Sequence, residues 1–373
     1  MKRLYVLFTV LIVFALMLGA CTPAAPEAPA EEAAPAEEEA PAEEEAAPAE
    51  EEPVAEEAPA EPEEMPMIVL VPAGRVGQEG FMYLAGIGYK EAVADFGFTE
   101  SILESDVPEE WERNVRTAAQ DGADLIVGVG STMQDAVANV APDFPDTKFA
   151  LVDSYAGGDN VVGLISQEQE GTYLAGVLAA YMTTQTDLEG MNEEKVIGFI
   201  GGMDIPVIHR FLSGLEQGAA YVDPDVTVEV AYVGSFADPA KAKELALAMI
   251  ENQGVDIVYS VAGSFGDAGV FEAVEEKGVY GIGSDVDWDS QVPGRVLTSV
   301  LKHTDKAVYD IIARYLDGEF EAGEIPYGVA DGVMDITDMS VMGDKIPDEV
   351  REMLDDIKTK IASGEIVIER PSE

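Results

Sequence analysis

Asp153, Asp285, Gly130 and Gly263 each stand where a short apolar run of this 373-residue chain stops, and Phe236 follows another such run two residues on. These residue types suit the capture of a small polar molecule. A carboxylate has two oxygens and can accept from two neighbouring hydroxyls at once, as an acidic residue does when it holds a ribose. An aromatic face gives a flat group something to stack on, and glycine lets backbone approach a ligand closely. Each type also has an ordinary structural use: aspartate caps helices and closes turns, a lone phenylalanine fills a core, and glycine turns the chain. Position alone leaves these alternatives open.

The apolar runs that must position them are MIVLV (67–71), DLIVGVG (124–130), KFALVD (148–153), VIGFIGG (196–202), TVEVAYVG (227–234), DIVYSVAG (256–263), VYGIGSD (279–285) and VLTSV (296–300). They are rich in Val and Ile and barely alternate, so they read as parallel strands covered on both faces. Helical patterns lie between them. In residues 109–120, Trp111, Val115 and Ala118 recur at helical spacing behind Pro108 and two glutamates. Alternating strands and helices predict an α/β protein with open, doubly wound parallel sheets, whose ligands bind outside the carboxyl ends of the strands.

The 309 residues from 65 to 373 exceed the size at which a single core stops growing, which predicts two lobes. The first is expected over 67–166 and 296–325 and the second over 167–295 and 326–345, with a C-terminal helix and tail at 346–373. Two lobes facing across a cleft would bring the strand-end residues together.

Several function classes drop out. The chain carries a net charge of −52, and residues 65–373 keep −37 once the 17 glutamates of the N-terminal tract and Lys2 and Arg3 are set aside. Such a domain is repelled by phosphate backbones and anionic lipid surfaces, which excludes nucleic acid as a partner. His209 and His303 are the only histidines, and no second histidine stands at metal-pair spacing. DVDWDS (285–290) alternates aspartates like a calcium loop but has Ser290 and Val296 where that motif needs Gly and Glu. No cofactor motif or nucleophile elbow is present, so neither a metal, a cofactor nor a catalytic assembly is expected.

The N-terminus reads as an export signal. Lys2 and Arg3 precede a 17-residue apolar run, Leu4 to Ala20, which ends in small residues before Cys21, the chain's one cysteine. The run is shorter than the ~20 residues that cross a bilayer. Leu18-Gly19-Ala20-Cys21 resembles the bacterial lipobox, which implies cleavage before Cys21 and lipidation of its thiol, anchoring the protein to the membrane outside the cytoplasm. Residues 22–64 hold 17 Glu and 9 Pro and no Lys or Arg. That composition predicts an extended, disordered tether.

Four stretches, NVVGLISQEQEGTYLAGVLAAYM (160–182), VIGFIGGMDIPVIHRFLSGLEQGA (196–219), VEVAYVGSFADPAKAKELA (228–246) and VLTSVLKHTDKAV (296–308), resemble the basic membrane protein family of lipoproteins. The resemblance runs over nearly all of residues 67–369. It implies a type I periplasmic-binding-protein fold, two lobes joined by a hinge, in a substrate-binding component of an ABC transporter that receives purine nucleosides and hands them to a permease. It further implies that Asp285 accepts from a sugar diol, that Lys302 reaches the same sugar and neutralises Asp285, and that Phe236 stacks on the base. In the first lobe Phe81 is kept, but Gln78 and Met82 replace the family's acid and asparagine, and Gly86 stands where a later aromatic would fall. Purine selectivity therefore does not carry over, and a different or more apolar ligand stays open. A ligand sensor with the same fold, or a nucleoside-processing enzyme, are the rival readings.

Overall fold

The computed structural model describes residues 65–77 and 80–371. The leader, Cys21, the tether and Gln78 lie outside the described residues. Along the chain come β1 (Met67–Pro72), α1 (Phe81–Phe96), β2 (Thr99–Ile102), α2 (Pro108–Gln120), β3 (Leu125–Val129), α3 (Gln134–Val140), β4 (Lys148–Val152), β5 (Val161–Ser166) and α4 (Glu168–Thr183). Next are β6 (Val196–Gly201), α5 (Pro206–Val222), β7 (Thr227–Tyr232), α6 (Pro239–Asn252), β8 (Val255–Val261), α7 (Gly263–Lys277), β9 (Tyr280–Asp285) and β10 (Val296–Lys302). The chain closes with α8 (Thr304–Leu316), β11 (Gly323–Tyr327), β12 (Met334–Ile336) and α9 (Asp348–Ala362).

Two six-stranded sheets result, ordered β11-β5-β4-β3-β1-β2 and β12-β10-β9-β8-β6-β7. The second winding repeats the first, so β4 and β9 hold equivalent places, as do β5 and β10. The pairings are parallel except for β12, which runs antiparallel to β10. Buried on both faces, the central strands are dominated by Val, Ile and Leu, as the sequence predicts. Each such side chain taken fully out of water contributes about 1.5–3 kcal/mol, which is why these runs form the cores of both lobes.

The helices follow local signals. α2 starts with Pro108 in its first turn, ahead of Glu109 and Glu110, which suit the positive helix end. α1 and α7 stop at Gly97 and Gly278, both left-handed, a conformation glycine adopts without a Cβ clash. In the second lobe α4 and α5 pack with backbones nearly touching: a Cβ on Gly218 would stand 2.1 Å from the Tyr173 carbonyl oxygen, and one on Gly176 would stand 2.3 Å from that of Leu215. Among the described residues no helix is long and apolar enough to cross a membrane.

The chain passes between lobes three times, from β5 to α4, from β10 to α8 and from β11 to β12. This corrects the expected limits. Residues 296–302 were assigned to the first lobe, but β10 pairs in parallel with β9, with Ser299 opposite Gly283 and Leu301 opposite Asp285, so it belongs to the second sheet. The return comes one element later: Ala307, Val308, Ile311 and Ile312 of α8 pack into the first core with Ile68, Tyr89 and Leu125. β11 then adds to the first sheet as far as Tyr327, opposite Ser166, so the last crossing follows Tyr327. Val350, Leu354, Ile357 and Ile361 of α9 pack into the second core.

Candidate functional site

Asp153 and Asp285 follow or end equivalent strands, β4 and β9, and both take left-handed backbone, with φ of 71° and 66°. Aspartate is among the few non-glycine residues that tolerate that region, and both stand at the carboxyl end of their sheets.

Around them lies a buried ionic cluster. The Lys302 ammonium, at the end of β10 and 2% exposed, donates to Asp153 Oδ2 at 2.7 Å and to Glu168 Oε1 at 2.8 Å. Arg210 of α5 donates from Nε to Glu168 Oε2 at 2.6 Å. Its Nη2 reaches the Asp153 carbonyl at 3.5 Å. The rings of Phe81 and Phe211 flank the ammonium with centroids 5.0 and 5.6 Å away, within cation–π range. Phe81 opens α1 in the first lobe, while Lys302, Glu168, Arg210 and Phe211 belong to second-lobe elements.

The electrostatics sort the acids. Burial opposes ionisation of Glu168, but Lys302 and Arg210 outweigh it and hold its carboxyl below the usual range. Burial likewise opposes charge on Lys302, and Asp153, Glu168 and Asp285 overcome it, raising the ammonium's pKa. Asp153 is raised, chiefly by burial. Asp285 is pushed up to about 6, first by burial and then by Asp153 and Glu168, with Lys302 pulling the other way. Among the described residues the carboxylates of Asp153, Glu168 and Asp285 gather about Lys302, and Arg210 pairs with Glu168.

Lys302 was expected to serve as counter-charge to Asp285. The structure gives its ammonium to Asp153 and Glu168 instead, and among the described residues nothing donates a hydrogen bond to the Asp285 carboxylate. Asp285 keeps some solvent exposure.

Phe236 and Gly263 meet in the second lobe. The Phe236 ring covers Gly202 at the end of β6, where a Cβ would come within 2.3 Å of it, and a Cβ on Gly263 would stand 2.9 Å from the Phe236 carbonyl. Gly263, with φ of 72°, therefore has both a backbone and a packing reason to be glycine. Gly130, with φ of 105°, ends β3 in the first lobe against Met82. The two lobes also approach at the starts of α1 and α7, where a Cβ on Gly80 would lie 2.1 Å from Ser264 Oγ.

Sequence reasoning missed four polar contributors. Glu168 and Arg210 lie inside QEQE and IHR, where no local pattern marks the two charges as partners. Asp267, in the second turn of α7, accepts from Ser260 Oγ at 2.5 Å, Ala262 N at 2.8 Å and Ser284 Oγ at 3.2 Å, tying that helix to the ends of β8 and β9. Burial raises its pKa to about 8. The Tyr259 hydroxyl is buried without a partner among the described residues. The DVDWDS segment is absorbed by structure: Asp287 accepts from Asp289 N at 2.8 Å, and Asp289 accepts from Ser299 and Thr337 hydroxyls at 2.6 Å. Among the described residues no group of acids, histidines and cysteines has metal-site geometry.

A model of the PnrA-like ABC transporter substrate-binding proteins matches residues 66–371. The ABC transporter nucleoside-binding protein BmpA of Lactococcus lactis is 34% identical, covering 71% of this chain and 77% of that protein. A purine-binding protein of Brucella abortus is 28% identical over 82% and 83% of the two chains. Among solved structures, a solute-binding protein of an ABC transporter system from Aeropyrum pernix superposes with a TM-score of 0.74 at 27% identity, covering 83% of this chain and 94% of that one. The type I periplasmic-binding fold of two doubly wound lobes is thus shared with transport receptors.

Proposed function

The chain belongs to the PnrA-like family of ABC transporter substrate-binding proteins, and from that premise we propose that it captures a nucleoside outside the cytoplasm and delivers it to an ABC permease. The observation that carries the ligand class is the Asp285 carboxylate. It ends β9 at the carboxyl edge of the second sheet and receives no hydrogen bond from the described residues, and burial raises its pKa to about 6. A neutral partner bringing two hydroxyl donors satisfies it, and a ribose diol is such a partner. Phe236, lying on the strand-end glycines of the same lobe, supplies a face for the base. The names of the Lactococcus and Brucella relatives agree with this ligand class.

Binding draws the lobes together about the three crossings, as domain closure does in receptors of this class. Lipidated Cys21 holds the protein at the membrane, and the tether lets it range over about 130 Å at ~3.1 Å per residue. The permease reads the closed form.

Calorimetric titration of the full chain with adenosine, guanosine, inosine and uridine tests the reading, with native mass spectrometry of any co-purified molecule as a check. Submicromolar to micromolar binding of at least one nucleoside is expected on the usual affinity scale. Binding of none of the four would sink the proposal.

A further inference from the structure

We propose that Glu168 is the positioning residue of the ligand site: it fixes the Lys302 ammonium for the ligand in every arrangement of the lobes, while Asp153 engages that ammonium only as they close. The inference rests on the nucleoside reading above and extends it to a residue outside the expected contacts.

Glu168 is the first residue of α4, where the chain has just made its first crossing, and it is completely buried. Both carboxylate oxygens are committed, Oε2 to Arg210 Nε at 2.6 Å and Oε1 to Lys302 Nζ at 2.8 Å. A carboxylate held by two cations cannot rotate without losing one of them. Lys302 sits just before the second crossing, on a four-carbon stem whose free rotamers would otherwise spread its charge over several ångströms. An ammonium has three donors; Glu168 and Asp153 take two, and the third remains for a ligand.

The two carboxylates differ in where they are mounted. Glu168, Arg210 and Lys302 are carried by α4, α5 and β10, all built into the second lobe, whereas Asp153 follows β4 in the first. Rotation of one lobe against the other leaves the Glu168–Lys302 pair intact and changes the Asp153–Lys302 distance. Glu168 thus pre-sets the ammonium before a ligand arrives, and Asp153 joins it when the cleft shuts.

The test is titration of the full chain with adenosine between pH 5 and 8, comparing wild type with Glu168→Gln and with the double variant Glu168→Gln/Arg210→Gln. The double variant removes opposite charges together and decides the matter if the single variant does not fold. The expected result is at least tenfold weaker binding, together with a shift of the acid limb of affinity to lower pH. The sign follows from Asp285, whose charged neighbours are Lys302 from β10, Asp153 after β4 and Glu168 from α4, with Asp267 of α7 and Tyr259 of β8 also close. Taking away the Glu168 charge makes Asp285 easier to ionise. Weaker binding with an unmoved acid limb marks a merely structural residue and overturns the proposal, as does wild-type affinity in a folded variant. A wild type that binds none of the nucleosides overturns the nucleoside reading itself, a result distinct from either.

Discussion

The Lys302 ammonium and the Asp153 carboxylate meet at 2.7 Å across the two lobes, one at the end of β10 in the second sheet and the other just past β4 in the first. They are 2% and 6% exposed, so neither charge has water to fall back on. A buried ion left without its partner is far more costly than the pair is stabilising. If the lobes part as proposed, Lys302 keeps Glu168 as its partner and Asp153 meets solvent. The asymmetry lets a buried ion pair take part in a hinge.

Asp285→Asn keeps the shape of the strand end and removes the charge. Hydrogen bonds to charged groups contribute about 1.5–3 kcal/mol each, so nucleoside affinity should fall at least tenfold while the fold survives. In the wild type the carboxyl is raised to about 6. Ligand hydroxyls donate to the ionised form, so affinity should be flat above pH 7 and decline as pH falls through 6, by up to tenfold per unit. Titration at five pH values checks both claims, and an Asp285→Asn protein with the wild-type pH profile would show that another group titrates.

Asp267 affects stability in the opposite sense. Its folded-state pKa is raised from 3.8 to about 8, so the protonated acid is the form the fold favours. Its contribution is fully present below about pH 4 and is lost progressively as pH rises towards 8. Asparagine imitates the protonated acid, accepting from Ala262 N and offering a donor to the Ser284 hydroxyl. Asp267→Asn should match the wild-type melting temperature near pH 4 and exceed it at pH 9. Melting curves at the two pH values decide, and an equal decline with pH in both proteins would place the titration elsewhere.

All eight quoted runs fall on strands, seven of them legible because parallel strands buried on both faces leave an apolar run; the eighth, TVEVAYVG, forms the edge strand β7, whose residues are exposed or half-buried and not covered on both faces as expected. β2, with its TESI sequence, and β11, with GEIPY, were not legible, since edge strands mix polar and apolar residues. VVGLIS carried the right run for β5, yet it was read for resemblance and not for structure. The misplacement of β10 has the same root: a Val-rich run reports burial and not which sheet buries it. Strand ends pointed to Asp153 and Asp285. The ion network did not show, because Glu168 and Arg210 lie 42 residues apart and Lys302 134 from Glu168, and no local pattern ties them.

Cys21 is the chain's only cysteine and follows Leu18-Gly19-Ala20. If the proposed lipid anchor is attached there, Cys21→Ser removes the thiol that would carry it. Metabolic labelling with a fatty acid should mark the wild type and not the variant, and the variant should stay unprocessed. A mature N-terminus at another residue, or label retained by the serine variant, would show that the anchor lies elsewhere.

Phe236 and Gly263 give two routes to one surface. Base–aromatic stacking is worth about 1–3 kcal/mol, so Phe236→Ala should weaken nucleoside binding by roughly five- to hundredfold. Gly263→Ala keeps the phenyl ring in the chain but puts a methyl group 2.9 Å from the Phe236 carbonyl and 3.1 Å from its Cβ, at a backbone φ of 72° that alanine tolerates poorly. The 236 loop must then move, and affinity should fall in the same direction. The two losses should be strongly non-additive in the double variant, because a displaced ring and an absent ring forfeit the same contact. Titration of the wild type, both single variants and the double variant measures the coupling. Simple addition of the two effects would mean that Gly263 acts on the ligand through its own backbone, independently of the ring.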